Sequence, residues 1–143
     1  TQAIISSVAV AIGIPAIMAL YAGYLLLVNK MSARQFSFKH WFSLTAWTGI
    51  PSVLAALVSL IVLLTDSNGQ VSQQELQPLS VTGLLNIDTS SQSLQQLSVF
   101  SIWALVLVAF GYSNWTGKSI ATSFAITWAP YLLIYGGIAL ASL

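Results

Sequence analysis

The sequence predicts an all-α integral membrane protein, a helical bundle of four transmembrane spans. Three observations carry that expectation. The chain is 57% hydrophobic and 5% charged, whereas a soluble domain carries about 25% charged residues, so it cannot cover a water-facing surface. Its mean hydropathy is +0.85. Four apolar runs recur at lengths near the about 20 residues that a helix needs to cross the hydrocarbon core, and no Asp, Glu, Lys, Arg or His falls inside any of them. At 143 residues the chain is one domain or part of one.

Residues 4–28 form the first run, which contains Pro15. Residues 41–64 form the second, with Gly49, Ile50 and Pro51 a third of the way along. The third, residues 97–112, is short for a span and is expected to extend backwards as helix into the polar sequence before it. The fourth, residues 120–143, holds Pro130, Gly136 and Gly137. Neighbouring helices and hydroxyls can take up the backbone groups that a membrane proline frees, but each proline predicts a kink.

The polar segment 65–96 separates the second and third spans and holds all three acids, Asp66, Glu75 and Asp88. Ser72 with Glu75, and Thr89 with Gln92, have capping-box spacing, and Leu76, Leu79, Leu84 and Ile87 follow a helical stripe. The pattern points to a short amphipathic helix at the membrane surface; the other reading is an ordered loop packed on the bundle.

Three of the four cations and the only histidine lie in "NKMSARQFSFKH", residues 29–40: Lys30, Arg34, Lys39 and His40. The fourth cation, Lys118, lies in the link between the third and fourth runs. With four spans, these two links share one face. Lys and Arg in short loops mark the cytoplasmic side, so loop 29–40 and Lys118 are expected in the cytosol and segment 65–96 opposite. The same cations suit anionic lipid or an acidic partner. Arg34 is best shaped to grip a carboxylate, and Phe36 or Phe38 can supply an apolar anchor. This topology starts the chain on the exoplasmic side at Thr1, and the expectation is a further span upstream in the intact protein.

The chemistry available is narrow. Four cations are too few for a nucleic-acid surface. One His and no Cys cannot make a zinc site, and no cofactor motif occurs. His40 has no acid on its predicted face to orient it, so no catalytic residue is expected. "GYSNWTGKS" (111–119) ends in G-K-S, but Gly111 is one residue too far for a phosphate-binding loop. The absence of ionisable residues within the spans argues against proton-coupled transport.

Small residues repeat at four-residue spacing: Ala9 with Gly13 and Ala19 with Gly23 in the first span, and Ala121, Ala125 and Ala129 in the fourth, beside Ser119, Ser123 and Thr127. Small residues let membrane helices approach closely, so the first and fourth spans are expected to pack through these faces; self-association is the other use of them. Trp41, Tyr112 and Trp115 are expected as interfacial anchors, with Trp47, Trp103 and Trp128 deeper.

One resemblance adds to this reading. "SVFSIWALVLVAFGYSNWTGKSIATSFAITW" (98–128) resembles the signature region of bacterial Yip1-domain proteins. The pattern is an apolar F-S-I-W start, a small residue before the glycine that ends the span, a polar link with Lys, then another apolar span. "FSFKHWFSLTAWTGIPSVL" (36–54) is similar to the preceding unit, a Phe with a basic residue and then a span interrupted by Pro. Relatives carry an acid just before the Phe, where this chain has Ser98 (Val99 intervenes). The resemblance implies five spans, of which this chain holds the last four, in the bacterial cytoplasmic (inner) membrane. It implies no catalytic residue. Eukaryotic members resemble adaptors that contact Rab-type GTPases, and some bacterial relatives accompany ABC-type exporters. The expected function is thus a non-enzymatic membrane adaptor or accessory subunit, acting through membrane lipid or a membrane-protein partner. The alternative is a small transporter or channel component, accessory to ABC-type exporter subunits. A polar cavity between the spans would favour the alternative.

Overall fold

The computed structural model describes residues 2–32, 34–65, 79–84 and 98–141. Among the described residues six helices follow in chain order: α1 (Gln2–Asn29), α2 (Phe38–Thr48), α3 (Ile50–Thr65), the single turn α4 (Val81–Leu84), α5 (Val99–Thr116) and α6 (Ile120–Ala141). Three stretches, Ala11–Asn29, Phe38–Thr65 and Val99–Thr116, are long and apolar enough to cross a membrane. α6 adds a helix of 22 residues, about 33 Å at 1.5 Å per residue. Apolar side chains face outward on α1 and α6 alike, with Leu20 75% and Leu133 76% exposed. Large apolar surface turned outward on several helices is what a lipid solvent permits and water does not.

The second span is two helices, and Pro51 explains the break. Pro51 has no N–H to donate to the Trp47 carbonyl, and its ring crowds that turn. The chain answers with tighter bonds: Gly49 N–H donates to the Ala46 carbonyl at 3.2 Å and Ser52 N–H to the Gly49 carbonyl at 3.0 Å. Thr48 donates its hydroxyl to the Leu44 carbonyl at 2.8 Å. A Cβ on Gly49 would lie 3.2 Å from the Met18 Cε, so the glycine also lets α1 pass close to the break. The helices run unbroken through Pro15 and Pro130.

The third span differs from expectation at both ends. It does not extend backwards: Ser98 is extended, with φ −117° and ψ 162°, and caps α5. Its hydroxyl accepts from Ser101 N–H at 3.2 Å, and its own N–H donates to the Ser101 hydroxyl at 2.9 Å. This reciprocal box satisfies two donors that a helix start leaves free. Ser98 also forms an antiparallel bridge with Ser80, which ties the α4 turn to the start of α5. At the other end, Gly111 does not finish the helix, which runs on to Thr116. Gly117 finishes it, in the left-handed region at φ 71°, with its N–H on the Ser113 carbonyl at 2.8 Å. Ser119 then accepts from Thr122 N–H at 3.3 Å at the start of α6. "GKS" is thus a glycine stop and a serine start around one lysine, which accounts for its likeness to a phosphate loop. The capping pairs expected at Ser72 and Thr89 and most of the expected surface helix lie outside the described residues; within them, only the turn Val81–Leu84 is helical.

α1 packs on α2, α5 on α6, and α2 and α3 both lie against α5. α5 and α6 are antiparallel, since Phe110 meets Phe124 and Trp128 reaches the Leu105 carbonyl. The core is Ala22, Leu25, Trp41, Leu44, Val108 and Tyr112. Its closest approach is at Gly111, where an added Cβ would collide with the Leu44 side chain.

α1 and α6 meet through tyrosines and not through small residues. Pro130 cannot donate to the Ile126 carbonyl four residues back, and the Tyr24 hydroxyl donates to that carbonyl instead, at 2.9 Å. Tyr21 donates to the neighbouring Thr127 carbonyl at 2.8 Å, and its ring meets Tyr131 edge-on at 5.5 Å. The expected small-residue seam is therefore corrected. Ala121 and Ala125 are exposed, Ala129 is half-buried, and Ser123 and Thr127 are the fully buried small residues of α6. Gly13 and Gly23 have nothing within 4 Å of an added Cβ, so neither marks a close approach.

Candidate functional site at the basic end of the bundle

Loop 30–37 and link 117–119 close the same end of the bundle, because Phe36 lies against Trp115 with ring centroids 5.4 Å apart. All four cations are therefore gathered at one end. Lys30, Arg34, Lys39 and His40 are exposed. Lys118 is half-buried, with its Nζ 5.9 Å from the centre of the Tyr112 ring, at cation–π distance. The loop is pinned from below: buried Asn29 donates its side-chain amide to the Arg34 carbonyl at 2.9 Å. Asp66, Glu75 and Asp88 lie outside the described residues.

Beneath the cations stands a wall of rings. Trp41 touches Tyr112 at 5.4 Å, Trp115 at 5.7 Å and Phe36 at 5.8 Å. Trp41 and Tyr112 are 0% exposed, so these two are core residues and not the interfacial anchors that the sequence suggested. Trp47 and Trp103, expected in packing or against lipid, both face outward, while Trp128 is half-buried. The pair Phe36 and Phe38 also separates. Phe36 is the inward plug of the ring cluster; Phe38 is exposed and, among the described residues, stacks only on Phe42, at 6.0 Å. Phe38 is thus the one free to act as an anchor.

His40 has a partner that the sequence did not suggest. Its Nδ1 lies 2.7 Å from the Ser37 hydroxyl, and its ring leans on Phe36 and Trp115. Ser37 precedes α2 but makes no side-chain bond to the helix backbone; it is taken up by His40. The spacing of three residues at a helix start was the available signal. The pair ties Ser37, at the end of the loop, to the first turn of α2.

This end also leaves polar atoms unpaired. Asn29 Oδ1, Ser32 Oγ, Trp41 Nε1 and the Tyr112 hydroxyl are buried without a hydrogen-bond partner among the described residues. A buried polar atom left truly unpaired costs on the order of 1–3 kcal/mol.

A cavity of about 480 Å³ lies elsewhere, between α1, the α2–α3 break, α5 and α6. Its lining includes Met18, Thr48, Leu105, Trp128, Tyr131 and Tyr135 and, among the described residues, no charged one. The sequence named none of these as a site. Membrane-facing and cavity-facing apolar residues read alike in a sequence.

In comparison with known families, the Yip1 domain matches residues 1–141. No curated protein and no solved structure matches the chain. The match covers nearly the whole bundle, including both loops of the basic end and the break at Gly49, and the chain belongs to the Yip1 domain family.

Proposed function

We propose that this chain is a four-span, non-enzymatic membrane adaptor whose contact surface is the basic end, turned to the cytosol. The observation that carries the reading is the arrangement of that end. Lys30, Arg34, Lys39 and Phe38 project outward, from a loop fixed by Asn29 and backed by a buried ring cluster. A pre-formed surface of cations around one exposed aromatic suits a partner of opposite charge, since little order must be imposed on binding. The side assignment rests on the rule that short-loop cations stay in the cytoplasm. The apolar lining of the cavity weighs against a path for a polar solute, the reading that a transporter would need.

The test is a comparison of three variants of the full-length protein, recovered in mild detergent with co-purifying membrane proteins identified by mass spectrometry. Arg34→Ala and Phe38→Ala are expected to insert normally and lose a partner that the wild type retains. Arg34→Lys is expected to retain less of it than the wild type, because Lys cannot form the two parallel bonds of a guanidinium. If all three variants keep every partner at wild-type level, the loop sets topology only and the adaptor reading of this surface fails.

A further inference from the structure

The cavity of about 480 Å³ falls within the roughly 300–1,000 Å³ of small-molecule sites. Its hydroxyls are mostly engaged elsewhere. Thr45, Thr48 and Ser101 donate back into their own helix or cap, to the carbonyls of Phe42, Leu44 and Ser98, at 2.8, 2.8 and 2.7 Å. The Tyr21 hydroxyl is held by the Thr127 carbonyl at 2.8 Å. Apart from Ser52, Tyr131 and Tyr135, the described lining therefore presents carbon, and a mostly apolar cavity holds water poorly. Helices in lipid are held by van der Waals packing, and an unfilled space of this size gives up those contacts all along its walls. The surrounding bilayer supplies an apolar occupant, the hydrocarbon chain of a lipid.

Position selects the leaflet. Along α5 the lining runs from Val108, at mid-helix, to Ser101, in the first turn, about 10 Å at 1.5 Å per residue. Ser101 is at the end of the bundle opposite the four cations. Tyr131 and Tyr135, one turn apart on α6, line the same cavity, and neither hydroxyl has a hydrogen-bond partner among the described residues. A pure hydrocarbon has no use for them; the ester of a glycerolipid accepts hydrogen bonds.

We propose that the cavity binds one acyl chain of a membrane phospholipid, drawn from the leaflet away from the basic end, with its ester group at the Tyr131 and Tyr135 hydroxyls. The site is separate from the adaptor surface and stands or falls independently of it.

The experiment uses the full chain in detergent micelles and a phosphatidylcholine with a diazirine midway along one acyl chain. Adduct sites are mapped by mass spectrometry. Adducts are expected on Met18, Leu105 and Tyr131, saturating as probe is added, while adducts on outward Leu20 and Leu133 rise without saturating. Ala104 also lines the cavity. Ala104→Phe should cut the cavity adducts by about tenfold and leave those on Leu20 and Leu133 unchanged; Ala104→Leu gives the same comparison if the Phe variant does not fold. Joint Tyr131→Phe and Tyr135→Phe substitution should raise the probe concentration at half-saturation. Non-saturating labelling of inward and outward residues alike, or cavity labelling unchanged in both Ala104 variants, overturns the proposal. Saturable cavity labelling by a diazirine palmitic acid but not by the phospholipid overturns the phospholipid assignment.

Discussion

Gly111→Leu is expected to destabilise the protein by about 1–3 kcal/mol, the usual range for overpacking a filled core. A Cβ alone at this position meets the Leu44 side chain. Leu44 is itself buried, in the cluster with Trp41, Val108 and Tyr112, so it cannot swing aside freely. The diagnostic is the double variant. In a Leu44→Ala background the space next to residue 111 opens, and most of the Gly111→Leu cost should disappear. Residues in contact couple in this way, whereas distant ones add. Thermal unfolding of the four proteins in one detergent measures the cycle. Additive effects would mean that α2 and α5 do not approach at this pair.

Tyr24→Phe is expected to cost about 1 kcal/mol, near the upper part of the range measured for hydrogen bonds between membrane helices. The residue removes only an oxygen, but that oxygen serves the Ile126 carbonyl, which Pro130 leaves without a helical donor. In a Pro130→Ala background the amide of residue 130 can serve that carbonyl, and Tyr24→Phe should then cost little. A Tyr24→Phe penalty of equal size in both backgrounds would show that the two residues are not linked through Ile126.

These two sites show what local sequence can and cannot supply. The break at Gly49 follows from Pro51 by backbone chemistry alone, so it could be read from three consecutive residues. The stop at Gly117 is equally local, but Gly111 was the more conspicuous glycine because it sits at the end of the apolar run. Which face of α6 turns inward is another matter. Ala121, Ala125 and Ala129 share their four-residue spacing with Ser119, Ser123 and Thr127, and spacing carries no phase. The phase is set by Tyr21 and Tyr24, more than 100 positions away in sequence, which no periodicity reveals. The basic end was read correctly as a cluster of cations, yet alternation in "QFSFKH" could not tell the plug Phe36 from the exposed Phe38. That distinction depends on Trp115, brought against Phe36 where α2 packs on α5. In lipid the usual guide fails as well, since apolar residues such as Leu20 and Leu133 face outward by design of the medium.

The account rests on the basic end facing the cytosol, and labelling of introduced cysteines tests this most directly. The chain has no cysteine of its own, so each introduced thiol reports alone. Met31 is 94% exposed in the basic loop, and Ser72 lies in the polar segment between the second and third spans. With a membrane-impermeant maleimide, Ser72→Cys is expected to label in intact cells, and Met31→Cys only after permeabilisation. Labelling of Met31→Cys from outside, with Ser72→Cys protected, would invert the bundle and contradict a cytosolic contact surface.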